Sequence, residues 1–313
     1  MDGLIGNTPM IKIKYKYLGK ESFIYAKLEW FNLTGSIKDR LIYYILGKSN
    51  LNNFDTLVEA TSGNTGISLS AIGNYLNKKV VIFMPDFVSD ERKEILKSYD
   101  AKLYLISKEE GGFTKCVELA KEYAKNNNNA FLIDQFSNPL NIETHYNTTG
   151  EEILDKLNNI GGFVSGVGSG GTLIGVSNKL KKIFPNLKVA LLEPKNAELI
   201  RKDSFYTHKI EGISDGFIPK NFNKENITNY YSISDEDAIN MSKKLAKELG
   251  LGVGISSGAN FLGSVLLNEE TSNVVTIFPD DNKKYLSILK KDQVKIDDNF
   301  ISNKIELIDY EIV

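Results

Sequence analysis

The sequence predicts an α/β protein, doubly wound, with parallel strands covered by helices. Three observations carry that expectation. Short apolar runs alternate with segments of helical period from end to end, the runs are mostly apolar on both sides, and several open directly into glycine- or hydroxyl-rich turns. Such turns are where open sheets of this class bind ligands.

In chain order, strands are expected at residues 23–28, 56–59, 80–84, 130–133, 163–165, 189–192 and 274–278. Helices are expected at 41–46, 67–76, 90–99, 113–124, 173–184, 235–249 and 261–267. Ala238, Met241, Leu245 and Leu249 form one stripe on the helix at 235–249, and Ser234 stands at its cap with Asp237 three positions on. Loop-rich residues 195–229 separate no independent halves, because strand–helix alternation resumes after them. The asparagine run Asn126 to Asn129 reads as a helix end and turn. The stretch from Asp297 onward is too short and mixed in polarity for an appended regulatory domain.

Composition removes whole classes of function. With 313 residues, 42% hydrophobic and 25% charged, the chain can bury a sizeable core. Its 38 basic and 40 acidic residues give a formal charge of −2 with no cationic run, which argues against nucleic-acid and anionic-lipid partners. No run approaches the ~20 apolar residues of a membrane span, and the first residues lack the pattern of an export signal. The lone Cys116 excludes an intramolecular disulfide or a thiolate-rich metal site and fits a reducing, cytoplasmic setting; it reads as a core residue. His145 and His208 lie beside no nucleophile or second ligand, so a triad or zinc hydrolase lacks its materials and no metal site is expected. Both histidines read as structural or exposed, and Trp30 as packing.

Four segments carry chemistry. Lys38, in Asn32-Leu33-Thr34-Gly35-Ser36-Ile37-Lys38, falls in the first turn of a helix, where the dipole disfavours an ammonium. A solvated lysine beside Asp39 and Arg40 is the plain alternative. Thr61-Ser62-Gly63-Asn64-Thr65-Gly66 crowds hydroxyls, an amide and glycines into a strand-to-helix turn, more donors than a helix cap needs, which suits an anion. Gly166-Val167-Gly168-Ser169-Gly170-Gly171-Thr172 follows a strand and opens a helix, so its amides form a phosphate cradle. It has neither the lysine of a nucleotide P-loop nor the dinucleotide spacing. Gly254-Ile255-Ser256-Ser257-Gly258-Ala259 reads alone as a plain cap ahead of an apolar helix.

Together with Leu4-Ile5-Gly6-Asn7-Thr8-Pro9, Asp134-Gln135-Phe136-Ser137-Asn138-Pro139 and Glu211-Gly212-Ile213-Ser214-Asp215-Gly216-Phe217-Ile218-Pro219, these segments resemble the cysteine synthase and cystathionine β-synthase family over nearly the whole chain. The resemblance is closest to the cysteine synthases. It implies a fold type II pyridoxal phosphate enzyme: two doubly wound α/β domains with the cofactor in the cleft between them. Residues 1–35 and 146–313 would form the larger, cofactor-binding domain, and 36–145 a smaller mobile domain that grips substrate.

By that resemblance, Lys38 forms the Schiff base with pyridoxal 5′-phosphate and serves as general base. Gly168, Ser169, Gly170, Gly171 and Thr172 hold the phosphate; Asn64 meets the ring hydroxyl; Ser256, or its neighbour Ser257, faces the pyridine nitrogen. Thr61, Ser62, Thr65, Gln135 and Gly212 bind the substrate. The implied reaction is β-replacement or β-elimination on a β-substituted alanine through an α-aminoacrylate, as in O-acetylserine plus sulfide giving cysteine plus acetate. Two alternatives stay open: cysteine plus water giving serine and hydrogen sulfide, and a serine or threonine dehydratase. Asp215 stands where cysteine-making members usually carry a small residue; it could activate water or bind a second amino group, or simply turn outward beside Gly216. The family also implies a homodimer. No haem-binding extension or regulatory module is expected. Leu33 and Ala60 replace prolines common at these points, changes expected mainly to alter loop stiffness.

Overall fold

The computed structural model describes residues 1–291 and 297–313. Its strands are β1 (Met10–Tyr17), β2 (Lys20–Leu28), β3 (Thr56–Ala60), β4 (Lys79–Pro85), β5 (Lys102–Ile106), β6 (Ala130–Leu132), β7 (Gly162–Gly166), β8 (Lys188–Pro194), β9 (Asn229–Ile233), β10 (Val274–Phe278) and β11 (Ile305–Ile312). Among the described residues they form a seven-stranded sheet in the order β11-β1-β2-β10-β7-β8-β9 and a four-stranded sheet in the order β5-β4-β3-β6. The smaller sheet is parallel throughout, as the continuous apolar runs imply.

The larger sheet departs from an all-parallel reading at one edge, where β1 pairs antiparallel with both β2 and β11. The reason is visible in Met10-Ile11-Lys12-Ile13-Lys14-Tyr15-Lys16. Ile11, Ile13 and Tyr15 are buried, while the intervening lysines face water and meet β11 carboxylates, Lys12 reaching Glu311 at 3.2 Å and Lys16 reaching Glu306 at 3.5 Å. An alternating strand covered on one face belongs to an antiparallel edge. The mixed polarity of the C-terminal stretch has the same meaning, since β11 buries only Ile305 and Leu307.

The helices are α1 (Lys38–Lys48), α2 (Asn64–Tyr75), α3 (Asp90–Ser98), α4 (Gly112–Asn126), α5 (Leu140–Asn147), α6 (Thr149–Lys156), α7 (Gly171–Ile183), α8 (Leu199–Lys202), α9 (Asp235–Leu249), α10 (Ile255–Asn268) and α11 (Leu286–Lys291). Each sheet is covered on both faces. On the larger, α9 and α10 pack Met241, Leu245, Phe261 and Leu262 on one side, and α6 and α7 pack Ile153, Leu173, Val176 and Leu180 on the other. On the smaller, Leu41, Ile45 and Ile67 face α4's Cys116 and Ala120 across the sheet. Ser234 caps α9 as expected, accepting from the Asp237 amide at 3.3 Å.

Two helices start earlier than their apolar patterns suggest: α2 at Asn64 and α10 at Ile255. Ser256 and Ser257 therefore sit in the first turn of α10 rather than ahead of it. Gly258 closes that turn against α9, where a Cβ would lie 2.3 Å from the Ala238 carbonyl oxygen.

Candidate active site

The C-terminal ends of β3 and β7, the start of α1 and the segment after Glu211 converge on one cavity. Every site residue expected from the sequence lines it except Gly171. Gly171 begins α7 from behind, where a Cβ would come 1.9 Å from Asn141 Oδ1.

Lys38 is the first residue of α1, and its backbone is pinned between the sheets because the preceding Ile37 amide donates to the Pro279 carbonyl at 2.9 Å. The solvated alternative fails on its neighbours. Asp39 folds back to accept from the Thr34 amide at 2.7 Å and hydroxyl at 2.6 Å, and Arg40 turns away to Glu29 and Glu152. The Lys38 Nζ is left inside the cavity, 3.3 Å from Ser169 Oγ. Burial lowers its pKa, against the opposing pull of Asp215 and Glu59.

The cradle is built by close approach. A Cβ on Gly168 would lie 2.3 Å from the Gly212 carbonyl, and Gly170 has φ +87°, a left-handed conformation that favours glycine. Ser169 Oγ also accepts from Asn141 Nδ2 at 2.8 Å. Thr172 Oγ1 lies 3.3 Å from His145 Nε2, so His145 does support the loop after all; burial holds its pKa at about 3 and the imidazole stays neutral. Sequence spacing hid this contact because α5 and α7 meet only in the folded chain.

Opposite stands the hydroxyl-rich turn. Thr61 Oγ1 accepts from the Gly63 amide at 3.0 Å, and Thr65 Oγ1 donates to Gln135 Oε1 at 2.8 Å. Behind it, Glu59 accepts from the Ala60 amide at 2.7 Å and the Gln135 amide at 3.1 Å. The Ala60 departure is thus more than a change of stiffness, because a proline there would have no N–H to give. Burial raises Glu59 to about 8.

Asp215 turns inward, not outward. It lines the cavity, and its pKa is raised by burial and held back by Lys38, His208 and Arg92. Of the two serines left open, Ser256 lines the cavity and Ser257 does not. Asn64 donates through Nδ2 to Asp280 Oδ2 at 2.7 Å, while its Oδ1 is buried without a partner. The sequence reading did not single out Arg92, Asn141, Asn221, Asp280 or Tyr285 as site residues. Arg92 stands in Asp90-Glu91-Arg92-Lys93-Glu94, which reads as an ordinary solvated helix face.

These residues fit pyridoxal phosphate. A half-buried primary amine of lowered basicity faces the glycine turn at a helix N-terminus, an arrangement suited to an anion, with an unpartnered amide oxygen and a neutral hydroxyl, Ser256, in the same cavity.

Comparison with known proteins agrees. A family model described as pyridoxal-phosphate dependent enzyme matches residues 1–280. The cysteine synthase of Staphylococcus aureus (strain Mu50 / ATCC 700699) is 36% identical, covering 91% of this chain and 94% of that one. Cysteine synthase B of Campylobacter jejuni is 40% identical over 91% and 95%. Among solved structures, a hydrogen sulfide-producing enzyme (Fn1055) from Fusobacterium nucleatum superimposes with a TM-score of 0.96 at 45% identity, covering 100% of this chain and 97% of that one. An aspartate-to-asparagine mutant of Fn1055, complexed with an α-aminoacrylate intermediate, gives 0.95 at 46% identity over 98% and 96%. The chain accordingly belongs to the pyridoxal-phosphate dependent enzyme family and has the type II fold of its cysteine synthase and hydrogen sulfide-producing relatives.

Proposed function

We propose that this enzyme converts cysteine and water into serine and hydrogen sulfide, a β-replacement in which Asp215 activates the water. One observation carries the reading: a carboxylate faces the cavity beside Lys38. A fixed negative charge there repels an incoming hydrosulfide anion and can take a proton from neutral water.

Bound pyridoxal phosphate supplies the electron sink that lets Cα lose a proton and the β-substituent depart. The remaining tasks fall to the chain. Thr61, Ser62 and Thr65 hold the substrate carboxylate, with Gln135 bracing Thr65. Gly212 leaves room beside them, since nothing lies within 4 Å of the place its Cβ would take. Lys38 Nζ, already of lowered basicity, takes the Cα proton. Gly168, Ser169, Gly170 and Thr172 would hold the cofactor phosphate, with Gly171 packing behind them on Asn141; Asn64 would meet the ring oxygen and Ser256 the ring nitrogen. Phe113, Phe136 and Phe217 pack together at the edge of the cavity, with ring centroids 4.9 to 6.1 Å apart, and exclude bulk water until Asp215 delivers one molecule. Residues 36–145 act as the closing unit over residues 1–35 and 146–313. We assign the enzyme to the cytoplasm as a homodimer acting on a small amino acid; among the described residues no helix is long and apolar enough to cross a membrane.

The test is incubation with cysteine alone. Hydrogen sulfide and serine should appear in equal amounts, and Asp215→Asn should slow serine formation by about 10²–10⁴-fold, with any remaining hydrogen sulfide matched by pyruvate and ammonia. Unchanged output from the variant removes Asp215 from the reaction. The names of the curated relatives support a second reading, cysteine synthesis from O-acetylserine and sulfide. Faster turnover of that pair than of cysteine would favour it.

A further inference from the structure

Arg92 takes no part in the chemistry above, yet it is among the most deeply buried large side chains, only 2% exposed. Its Nη1 donates to the Ser62 carbonyl at 2.9 Å and meets Glu211 Oε2 at 2.7 Å. Its guanidinium carbon stands 5.2 Å over the Tyr285 ring. The turn at Gly63 rests directly on it; a Cβ there would lie 2.4 Å from Nη1. One nitrogen on α3 therefore ties the carboxylate-holding turn of the smaller sheet to the segment that carries Asp215.

That segment needs a tie. Gly212 has φ +91° and open space around it, and Gly216 has φ +93° beside Phe205, so the run between them turns at each end through a left-handed glycine. Inside the run, Ser214 is held by its amide donating to the Val167 carbonyl at 2.8 Å. The end before Gly212 is tied electrostatically, by the ion pair of Glu211 with Arg92, whose geometry is not that of a hydrogen bond.

We propose that Arg92 is a positioning residue for Asp215: by holding Glu211 and the Ser62 carbonyl together, it places the water-activating carboxylate only where the substrate turn is formed. The inference rests on the Asp215 reading above. Both contacts run through Nη1, so what suits arginine here is a charge that persists when buried and a flat group that stacks on the Tyr285 ring.

The experiment uses the holoenzyme and cysteine, and reads the ratio of serine to pyruvate plus ammonia. Pyruvate and ammonia form, with hydrogen sulfide, when elimination is completed by hydrolysis rather than by water adding at Cβ. Arg92→Gln and Glu211→Gln should each lower the ratio about tenfold, and the double variant no further. Arg92→Gln alone should also raise KM, because it frees Ser62, and Arg92→Lys should restore part of the ratio. Glu211 is 24% exposed, so Glu211→Gln serves where Arg92→Gln fails to fold. Folded variants with the parental ratio, or single effects that simply add, overturn the proposal. If Asp215→Asn itself keeps the parental serine output, the Asp215 reading fails instead, and the two failures are told apart.

Discussion

Two groups of buried charge lie on either side of α1, and they differ in how well they are satisfied. In the first, Arg40 meets Glu29 at 2.6 Å and Glu152 at 2.5 Å, while Lys27 meets Glu152 at 2.6 Å and the Thr8 carbonyl at 2.6 Å. Burial pushes both carboxyls up, but the cations more than offset it, leaving Glu29 below its ordinary value and Glu152 at about 2. In the second, around Lys38, burial prevails: Glu59, Asp215 and Glu211 are all raised. Asn64 Oδ1, Arg92 Nε and Asp280 Oδ1 are buried there without partners. The first group closes on itself and holds β2, α1 and α6 together. The second retains open valences, as a site that must receive charged ligands and move protons requires.

The sharpest way to break this contrast is Lys38→Ala. Hydrogen sulfide release should fall by about 10⁴-fold and the visible absorbance of the bound cofactor should be lost, while the urea midpoint changes little. Arg40→Ala should do the reverse. It strands Glu29 in a fully buried position and should cost about 3–5 kcal/mol in urea unfolding. Loss of turnover without loss of stability in that variant would erase the distinction between the groups.

A pH series sharpens it further. Glu152 is held at about 2 in the folded chain and returns to the ordinary range near 4.5 on unfolding. Its stabilisation is therefore complete above about pH 4.5 and lost as pH falls towards 2, a change of roughly 3 kcal/mol. Glu152→Gln should flatten that limb. Asp215 shifts the other way, so hydrogen sulfide release should decline with falling pH at a higher value than an ordinary aspartate gives. Lys38, His208 and Arg92 are the charges acting on it. The smallest effect is expected for Gly171→Ala. Its Cβ would strike Asn141, itself held by Gln135 and Ser169, and cofactor retention on gel filtration should weaken about tenfold, or about 1.4 kcal/mol.

Much of the candidate site was legible because its residues are neighbours in sequence. The turns 61–66 and 166–172 bring glycines and donors to the cavity from consecutive positions, the arrangement that suits an anion at a strand-to-helix turn. The lysine at a helix start is local for the same reason. His145 and Arg92 were not legible in this way. Each acts on residues that α5 or α3 reaches only after the sheets have formed. Arg92 lies among charges indistinguishable from a solvated helix face, and only burial separates it from them. The antiparallel edge was missed for a different reason: alternation in β1 is a weaker signal than the long apolar runs of the central strands.

The amino-acid order by itself determined the α/β class and the positions of the candidate lysine and of the two glycine- and hydroxyl-rich turns, because periodicity and turn chemistry act over a few residues, and the resemblance of those segments gave the family. Tertiary structure alone decided which charges are paired and which are left open, that Asp215 faces inward, and that Ser256 rather than Ser257 meets the cavity. Those outcomes depend on burial and on contacts between residues tens to hundreds of positions apart, and desolvation is a property of the packed molecule that no local pattern encodes.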